Sequence, residues 1–230
     1  MRLPFGLSPG PGTLIAVEGL DGAGKTTVVE GLRDHLAAAG APVLTTRLPT
    51  TELRETRFFR LLRDEGRTDL IDPVAFELAY MVDRIQHCRT VIEPALRAGR
   101  TVITDRYAFS SIGTLLFRLP DLRTVALAAV LDDAWFADLC RHLIRPDLGL
   151  VLRTDGRRGR DRLRRRPGEA DVDFEPGQYE ELQDLLLRLA RDNRMVPVDS
   201  SGSAAATLAA CLPHLDRLAT AAAARLGERV

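Results

Sequence analysis

Lysine is almost absent from this sequence of 230 residues. Its 32 basic residues are 31 arginines and a single lysine, Lys25. Such a bias is typical of a GC-rich genome in which most lysine positions have changed to arginine. A lysine that persists indicates a position where a compact ammonium is needed and a planar guanidinium fails. Chance is the alternative, and the residues around Lys25 bear on the choice.

Excess charge and long apolar runs are also lacking. The formal net charge is zero, so no global field draws the chain toward nucleic acid or an anionic membrane. No apolar run approaches the roughly 18 residues that a membrane helix needs. The opening MRLPFGLSPGPG has no signal-peptide apolar centre, and we interpret residues 1–12 as a Pro/Gly-rich lead-in. We therefore expect no nucleic acid and no membrane among the partners.

Cysteine is scarce and scattered. The three cysteines are Cys88, Cys140 and Cys211, and they form neither a CxxC pair nor a Cys/His cluster. Each falls within an apolar helical pattern, which predicts buried, reduced thiols in a cytoplasmic protein.

Short β-rich runs alternate with longer helical patterns along the chain. This alternation predicts βαβ units, and hence an α/β fold whose parallel sheet is covered by helices on both faces. Without an internal repeat or a long linker, we expect residues 13–230 to form one domain. The predicted strands are 13–18, 42–47, 101–104, 148–152 and 195–198, and the predicted helices are 25–39, 51–63, 73–98, 121–143, 177–193 and 204–225.

The segment Gly-Leu-Asp-Gly-Ala-Gly-Lys-Thr, residues 19–26, joins the first strand to the first helix. Successive backbone N–H groups and a helix N-terminus form an anion-binding concavity, and glycines let the backbone close on phosphates. In such a Walker A loop, Lys25 bridges the β- and γ-phosphates of ATP, and Thr26 places its hydroxyl on Mg2+. The alternative is an ordinary Gly-rich turn. The predicted nucleotide-binding residues are Gly19, Asp21, Gly22, Ala23, Gly24, Lys25, Thr26 and Thr27.

Two absences narrow the class of nucleotide-binding protein. The only asparagine is Asn193, in Arg-Asp-Asn-Arg, so the Asn-Lys-x-Asp motif that recognises guanine in GTPases is absent from this sequence. No Leu-Ser-Gly-Gly-Gln segment occurs, which argues against a transporter ATPase. Both absences favour a small-molecule kinase.

A second acid follows another apolar strand. Asp105 ends the strand 101–104, and ligands bind at the carboxyl ends of strands in open parallel sheets. Its carboxylate can hold Mg2+ directly or through water, and Arg106 offers a fork for a phosphate oxygen. The alternative is a surface Asp-Arg turn.

These motifs together resemble the thymidylate kinase family. The similarity lies in the Val17–Thr27 segment, in Asp105-Arg106-Tyr107 with Ser110 and Ser111, in Tyr80–His87 and in 199–203. It extends over about residues 14–212. It implies a P-loop kinase fold: a central parallel five-stranded sheet flanked by helices, with an Arg-rich lid at about 153–175. It also implies a cytoplasmic homodimer that uses ATP and Mg2+.

The resemblance also implies roles for acceptor-side residues. Asp21 would contact the sugar 3′-hydroxyl, Tyr80 would stack on the base, and Arg84 would hydrogen-bond its edge. Arg106 would hold the acceptor phosphate, and the remaining predicted acceptor-site residues are Arg47, Leu48, Pro49, Ser110, Ser111 and Thr114. From the residues alone, Tyr80 could be core, Arg84 could form a solvated pair with Asp83, and Asp21 could be a turn residue.

Eight arginines crowd residues 153–166. By charge alone this run could be a nucleic-acid patch or a solvated helix face. It follows the fourth strand, where kinases of the family that the chain resembles carry a lid over ATP, so the resemblance implies lid arginines that stabilise the transferring phosphoryl group. Arg160 and Arg164 lie four residues apart on one helix face, so we predict them, with Lys25, Asp105 and Arg106, as catalytic.

The chain departs from the family pattern after Ser111. It has Ile112-Gly113-Thr114-Leu115 where the family usually has x-Ala-Tyr-Gln, and Leu48 replaces an acid common in bacterial members. We expect phosphorylation of a nucleoside monophosphate, dTMP to dTDP, by ATP with Mg2+. Thr114 stands where the family has a tyrosine, so the resemblance implies a wider acceptor pocket at this position. This leaves open another acceptor, such as a modified nucleoside, nucleotide or natural-product intermediate. A non-catalytic nucleotide-binding protein is the third possibility.

Overall fold

The computed structural model describes residues 2–63, 72–109, 134–165 and 176–227. Elements are numbered along these residues. The strands are β1 (Thr13–Gly19), β2 (Val43–Arg47), β3 (Thr101–Asp105), β4 (Leu148–Arg153) and β5 (Val196–Asp199). The helices are α1 (Lys25–Ala38), α2 (Thr51–Arg54), α3 (Arg57–Arg63), α4 (Pro73–His87), α5 (Glu93–Arg97), α6 (Ala134–Cys140), α7 (Gly156–Arg164), α8 (Pro176–Asp192) and α9 (Ala204–Gly227).

The five strands form one parallel sheet in the order β2-β3-β1-β4-β5, which confirms the predicted α/β architecture. Side chains of β1 alternate between its two faces, as strand geometry requires. Leu14 and Ala16 pack in a core with α4, α5, α6 and α8, whereas Ile15 and Val17 pack in a second core with α1 and α9. The sheet is therefore buried between two helical layers.

Strand register brings the predicted site together. Val17 lies beside Asp105 in the β1–β3 pairing, and Arg47 lies beside Asp105 in the β2–β3 pairing. The carboxyl ends of β2, β3 and β1 therefore meet at one edge of the sheet, where α/β proteins bind ligands.

Two predicted helices are interrupted for identifiable reasons. The pattern at 51–63 becomes α2 and α3, because Thr56 accepts a hydrogen bond from the Phe59 N–H (3.2 Å) and caps a new helix. The pattern at 73–98 contains a π-helical turn, Cys88–Ile92, before α5. Pro94 lies at the start of α5 and supplies no N–H, so it removes one α-helical hydrogen bond at this junction. The predicted helix 121–143 lies largely outside the described residues, and α6 is its described part.

The N-terminal lead-in contacts the rest of the fold. Leu3 is buried, and its N–H donates to the Asn193 side chain (2.8 Å). The Gly6 N–H donates to the Leu143 carbonyl (2.8 Å), and Gly6 accepts from the Arg145 N–H at the same distance. These contacts tie the lead-in to the segments that precede β4 and β5. Within the described residues, no helix combines the length and the apolarity needed to cross a bilayer.

Candidate active site

The turn between β1 and α1 has the backbone conformation of a phosphate cradle. Gly22 and Gly24 have φ of 81° and 91°, in the left-handed region that favours glycine. A Cβ at Gly22 would also lie 2.3 Å from the Gly159 carbonyl oxygen. The loop can therefore close only because these positions lack side chains, and α1 begins directly at Lys25.

Lys25 lies within the loop and is only 5% exposed. Its Nζ donates to the Leu20 carbonyl (2.8 Å) and lies 3.8 Å from Asp21 Oδ1. Burial and the nearby Arg106 guanidinium lower the pKa of Lys25 to about 8, against the opposing effect of Asp21, Asp105 and Glu18. A phosphate at this position would add negative charge beside the buried ammonium and so favour its protonated form.

Thr26 and Asp105 meet across the loop. The Thr26 hydroxyl donates to Asp105 Oδ2 (2.8 Å), and Arg47 Nε lies 3.9 Å from the same oxygen. Asp105 Oδ1 is buried and has no hydrogen-bond partner among the residues that the structure describes. A hydroxyl and a carboxylate side by side fit Mg2+, which prefers oxygen ligands. No group of three or more His, Cys, Asp or Glu that could hold a metal occurs in the described ranges, so phosphate and water would complete its coordination.

Arg106 turns back toward the loop. Its φ of 72° is unusual for a residue with a side chain, and Val17 and Thr104 fix this backbone with bonds of 2.9 and 2.7 Å. Its guanidinium pairs directly with the Asp21 carboxylate. Burial opposes the charge, yet Asp21 and Asp105 raise the pKa of Arg106 above its usual value. The two predicted acceptor-site residues therefore lie together.

Glu18 is a site residue to which the sequence pattern assigned no role. Its buried carboxylate accepts hydrogen bonds from the N–H groups of Tyr107 (3.1 Å) and Phe109 (2.9 Å). It thereby fixes the segment that follows Arg106. An acid inside an otherwise apolar strand is the signal that could have revealed it.

The Arg47-Leu48-Pro49 turn lies against β3. The Leu48 N–H donates to the Asp105 carbonyl (3.0 Å), and the Leu48–Pro49 peptide bond is cis. Asp83 of α4 accepts from the Thr50 N–H (2.9 Å) and from its hydroxyl. Asp83 is therefore bonded to the turn as well as adjacent to Arg84 in sequence. The loop, this turn and the end of β3 line one cleft, formed by Asp21, Gly22, Gly24, Lys25, Thr26, Arg47, Asp105 and Arg106.

Tyr80 and Arg84 share the inner face of α4. Tyr80 is 4% exposed, with its ring 4.7 Å from that of Phe76 between centroids. Arg84 is 1% exposed, 5.5 Å from the Tyr80 ring, and its Nη1 lies 2.7 Å from Glu77 Oε1. Burial opposes its charge, but Glu77 raises the pKa of Arg84. The structure thus brings the two residues together in the core, and their contact with an acceptor base stays a prediction.

The Arg-rich segment begins as α7, which lies over the loop. Asp155 caps it by accepting from the N–H groups of Arg157 (3.0 Å) and Arg158 (3.2 Å). Arg162 donates to the carbonyls of Gly22 (3.2 Å), Ser200 (2.9 Å) and Gly202 (3.1 Å). The spacing predicts Arg160 and Arg164 as the acting pair; Arg160 is half-buried and Arg164 is exposed.

Arg162 is therefore an arginine of the predicted lid segment that contacts the loop, although the sequence pattern did not single it out. The signal was present, since Arg158 and Arg162 are also four residues apart, and Arg158 donates to the Ser201 carbonyl. Ser110, Ser111 and Thr114 lie outside the described residues, as do residues 166–175 of the predicted lid.

A phosphate cradle, an acid at the end of the adjacent strand and an arginine-bearing helix over the loop define a P-loop phosphotransferase. The family described as thymidylate kinase matches residues 17–209. The chain belongs to the thymidylate kinase family, which confirms the resemblance seen in the sequence.

Individual relatives agree with this placement. The chain is 36% identical to a thymidylate kinase of Cereibacter sphaeroides over 206 residues, or 84% of this chain and 88% of the relative. It is 33% identical to one from Bifidobacterium longum over 218 residues, or 90% and 99% of the two chains. The crystal structure of thymidylate kinase from Ehrlichia chaffeensis has the same fold, with a TM-score of 0.56 and 20% identity over 85% of this chain and 90% of that one.

Proposed function

We propose that this chain is a nucleoside-monophosphate kinase that transfers the γ-phosphoryl group of ATP to dTMP, forming dTDP. The observation that carries the proposal is the joined geometry of Lys25, the Thr26–Asp105 pair and the Asp21–Arg106 pair at one sheet edge. Family membership over nearly the whole chain supports the choice of a thymidylate acceptor.

The donor phosphates would bind in the loop. Its backbone N–H groups and the N-terminus of α1 face the concavity, and Lys25 supplies a positive charge within it. Thr26 and Asp105 would hold Mg2+, which neutralises charge on the β- and γ-phosphates when bound. Asp105, buried and already bonded to Thr26, fixes the direction of that hydroxyl.

The acceptor phosphate would bind between Arg106 and Arg47. Both guanidinium groups lie by Asp105, at the end of β3, and a planar fork suits phosphate oxygens. The Asp21 carboxylate now pairs with the Arg106 guanidinium. An incoming acceptor phosphate would bind this guanidinium beside Asp21 or in its place, and the Asp21 carboxylate would then turn to the sugar hydroxyl. Catalysis then rests on positioning and charge neutralisation, and no covalent intermediate is required.

The predicted lid would complete the site beside the loop that binds the donor phosphates. Arg162 spans the loop and residues 200–202, so it would be near the donor phosphates. The predicted roles of Arg160 and Arg164 in stabilising the transferring group stay predictions. Arg162 lies on the same helix as these two, and its bonds to Gly22 and Ser200 would hold that helix against the loop.

Two other functions suggested by the sequence are not favoured. Relatives that are 33% and 36% identical are named for thymidylate, which supports dTMP over a modified nucleoside or a natural-product intermediate. The Thr26–Asp105 bond, together with an Asp105 Oδ1 that has no hydrogen-bond partner among the described residues, supports a metal-dependent enzyme over a binding-only protein.

Release of ADP from Mg-ATP tests the proposal directly. The purified chain should release ADP when dTMP is added and release little when a modified nucleoside or ribonucleotide replaces it. Turnover only with another acceptor would reject dTMP. Tight ATP binding without ADP release, whichever acceptor is added, would reject kinase activity.

The homodimer and the cytoplasmic location also stay predictions. On α4, Leu78 and Val82 are exposed apolar side chains four residues apart, with Val82 69% exposed, and a second copy of the chain could cover them. The three cysteines are buried free thiols, which agrees with a reducing compartment.

A further inference from the structure

Tyr179, in the first turn of α8, contacts the phosphate loop at Asp21. The residue is fully buried, and its hydroxyl donates to the Asp21 carbonyl oxygen (3.1 Å). Burial raises the pKa of Tyr179, and the Asp21 carboxylate adds to the shift. The hydroxyl therefore stays protonated and remains a hydrogen-bond donor.

The ring of Tyr179 also supports the lid helix. A Cβ on Gly159 would lie 2.9 Å from Cζ of the ring, and the Gly159 backbone in turn lies against Gly22. The Tyr179 ring, helix α7 and the phosphate loop therefore pack against one another in a continuous stack. Because both glycines lack side chains, the three elements approach one another more closely than other residues would allow.

Asp21 connects this stack to the acceptor side. Its carbonyl accepts from Tyr179, while its carboxylate pairs with Arg106 and lies 3.8 Å from Lys25 Nζ. The direction of a side chain follows from the position of its backbone. Holding the Asp21 carbonyl therefore sets where the carboxylate meets Arg106.

We propose that Tyr179 is a positioning residue for the acceptor: by fixing the Asp21 backbone beneath the lid, it aligns the Asp21–Arg106 pair with the acceptor's phosphate and sugar. This role rests on the proposed function and extends it to a residue of α8. The donor phosphates bind loop N–H groups and Lys25, so their binding depends less on the Asp21 carbonyl.

Tyr179→Phe tests this role because it removes only the hydroxyl oxygen. The loss of one hydrogen bond should raise the KM for dTMP about fivefold, while the Kd for Mg-ATP in the absence of acceptor changes less than about twofold. Tyr107→Phe is the matched control for stability. Tyr107 is also buried, and its hydroxyl donates to the Ile144 carbonyl (2.8 Å), away from the loop. The control should lose similar stability while its KM for dTMP is unchanged.

Hydrogen exchange at the amides of residues 19–26, measured in the free protein, gives a readout that does not need the acceptor to be known. Exchange should be faster in Tyr179→Phe than in wild type and unchanged in Tyr107→Phe. An unchanged KM for dTMP would overturn the positioning role, as would equal shifts in acceptor and ATP binding. If the wild-type chain turns over another acceptor, that acceptor replaces dTMP. The assignment of dTMP can then fail while the role of Tyr179 is still tested, with the KM measured for the other acceptor.

Discussion

The predicted donor side and the predicted acceptor-base side of the site hold their charged groups in different ways. On the donor side, a short loop positions Lys25, and strand register positions Asp105 where Thr26 of α1 bonds to it. On the base side, Arg84 lies on α4 in an apolar core and is paired with Glu77 from the same helix. A local motif therefore predicts the position of Lys25, whereas the burial of the Glu77–Arg84 pair depends on what packs against one face of α4.

The largest expected effect is on the donor side. Lys25→Ala removes the only ammonium in the phosphate cradle, and kcat should fall by about a thousandfold without unfolding the protein. ADP release in the presence of dTMP measures the loss, and circular dichroism checks the fold.

Lys25→Arg is the matched variant, because it keeps the charge and changes only its shape. A planar fork does not fit where the ammonium bonds to the Leu20 carbonyl, so this variant should also lose most turnover. Near-normal activity in either variant would contradict the role of the loop.

On the base side, Glu77→Ala should act first on stability. Both partners of the Glu77–Arg84 pair are fully buried, so the variant leaves the guanidinium without this carboxylate. The free energy of unfolding should fall by about 3 kcal/mol. Urea denaturation measures it.

The double variant Glu77→Ala, Arg84→Met removes both charges and should recover most of that loss, since an apolar side chain suits the core. A loss below about 1 kcal/mol in Glu77→Ala would mean that water or another group compensates Arg84, and the contrast between the two sides would weaken.

The helix α7 packs against the donor-side loop and Tyr179, and Gly159→Ala should disturb this packing. The new methyl group would lie 2.9 Å from Cζ of Tyr179, so α7 or the ring must move. We expect a loss of about 2 kcal/mol in unfolding free energy and weaker ATP binding. Gly177→Ala is the control, because a Cβ there meets nothing within 4 Å. It should be neutral or slightly stabilising, and equal effects of the two variants would argue against close packing at Gly159.

The smallest expected effect is a pH dependence of ATP binding. Phosphates bind the protonated ammonium, and Lys25 has a pKa of about 8 in the free protein. The Kd for Mg-ATP should be constant below about pH 7 and about tenfold higher at about pH 9, as measured by calorimetry.

The sign for stability is opposite. Between about pH 8 and 10.5 the unfolded chain binds the extra proton, so the free protein gains stability as the pH rises through this window. Lys25→Arg stays charged throughout, and its ATP binding should show no such rise in Kd. A flat wild-type profile would mean that the ammonium is less desolvated than its 5% exposure indicates.

The sequence pattern predicted the parallel sheet correctly because each strand is a short apolar run that a helix follows. It was less accurate at helix breaks. Neither the cap at Thr56 nor the π-helical turn before Pro94 interrupts the apolar periodicity, so the pattern extends through both. The lid was placed by position along the chain, but periodicity alone favoured Arg160 and Arg164, and the contact of Arg162 with Gly22 needs the position of the loop.

The sequence by itself determined the conformation of the loop between β1 and α1, because its glycines allow left-handed backbone and the helix begins directly after them. It also determined the family, since the motifs occur in the expected order. Only the tertiary structure decided that Glu77 pairs with Arg84, that Glu18 fixes the segment after Arg106, and that Tyr179 reaches Asp21. Pairings such as Glu18 with Tyr107 and Tyr179 with Asp21 join residues 89 and 158 positions apart. Their geometry follows from the packing of strands and helices, which no local pattern encodes.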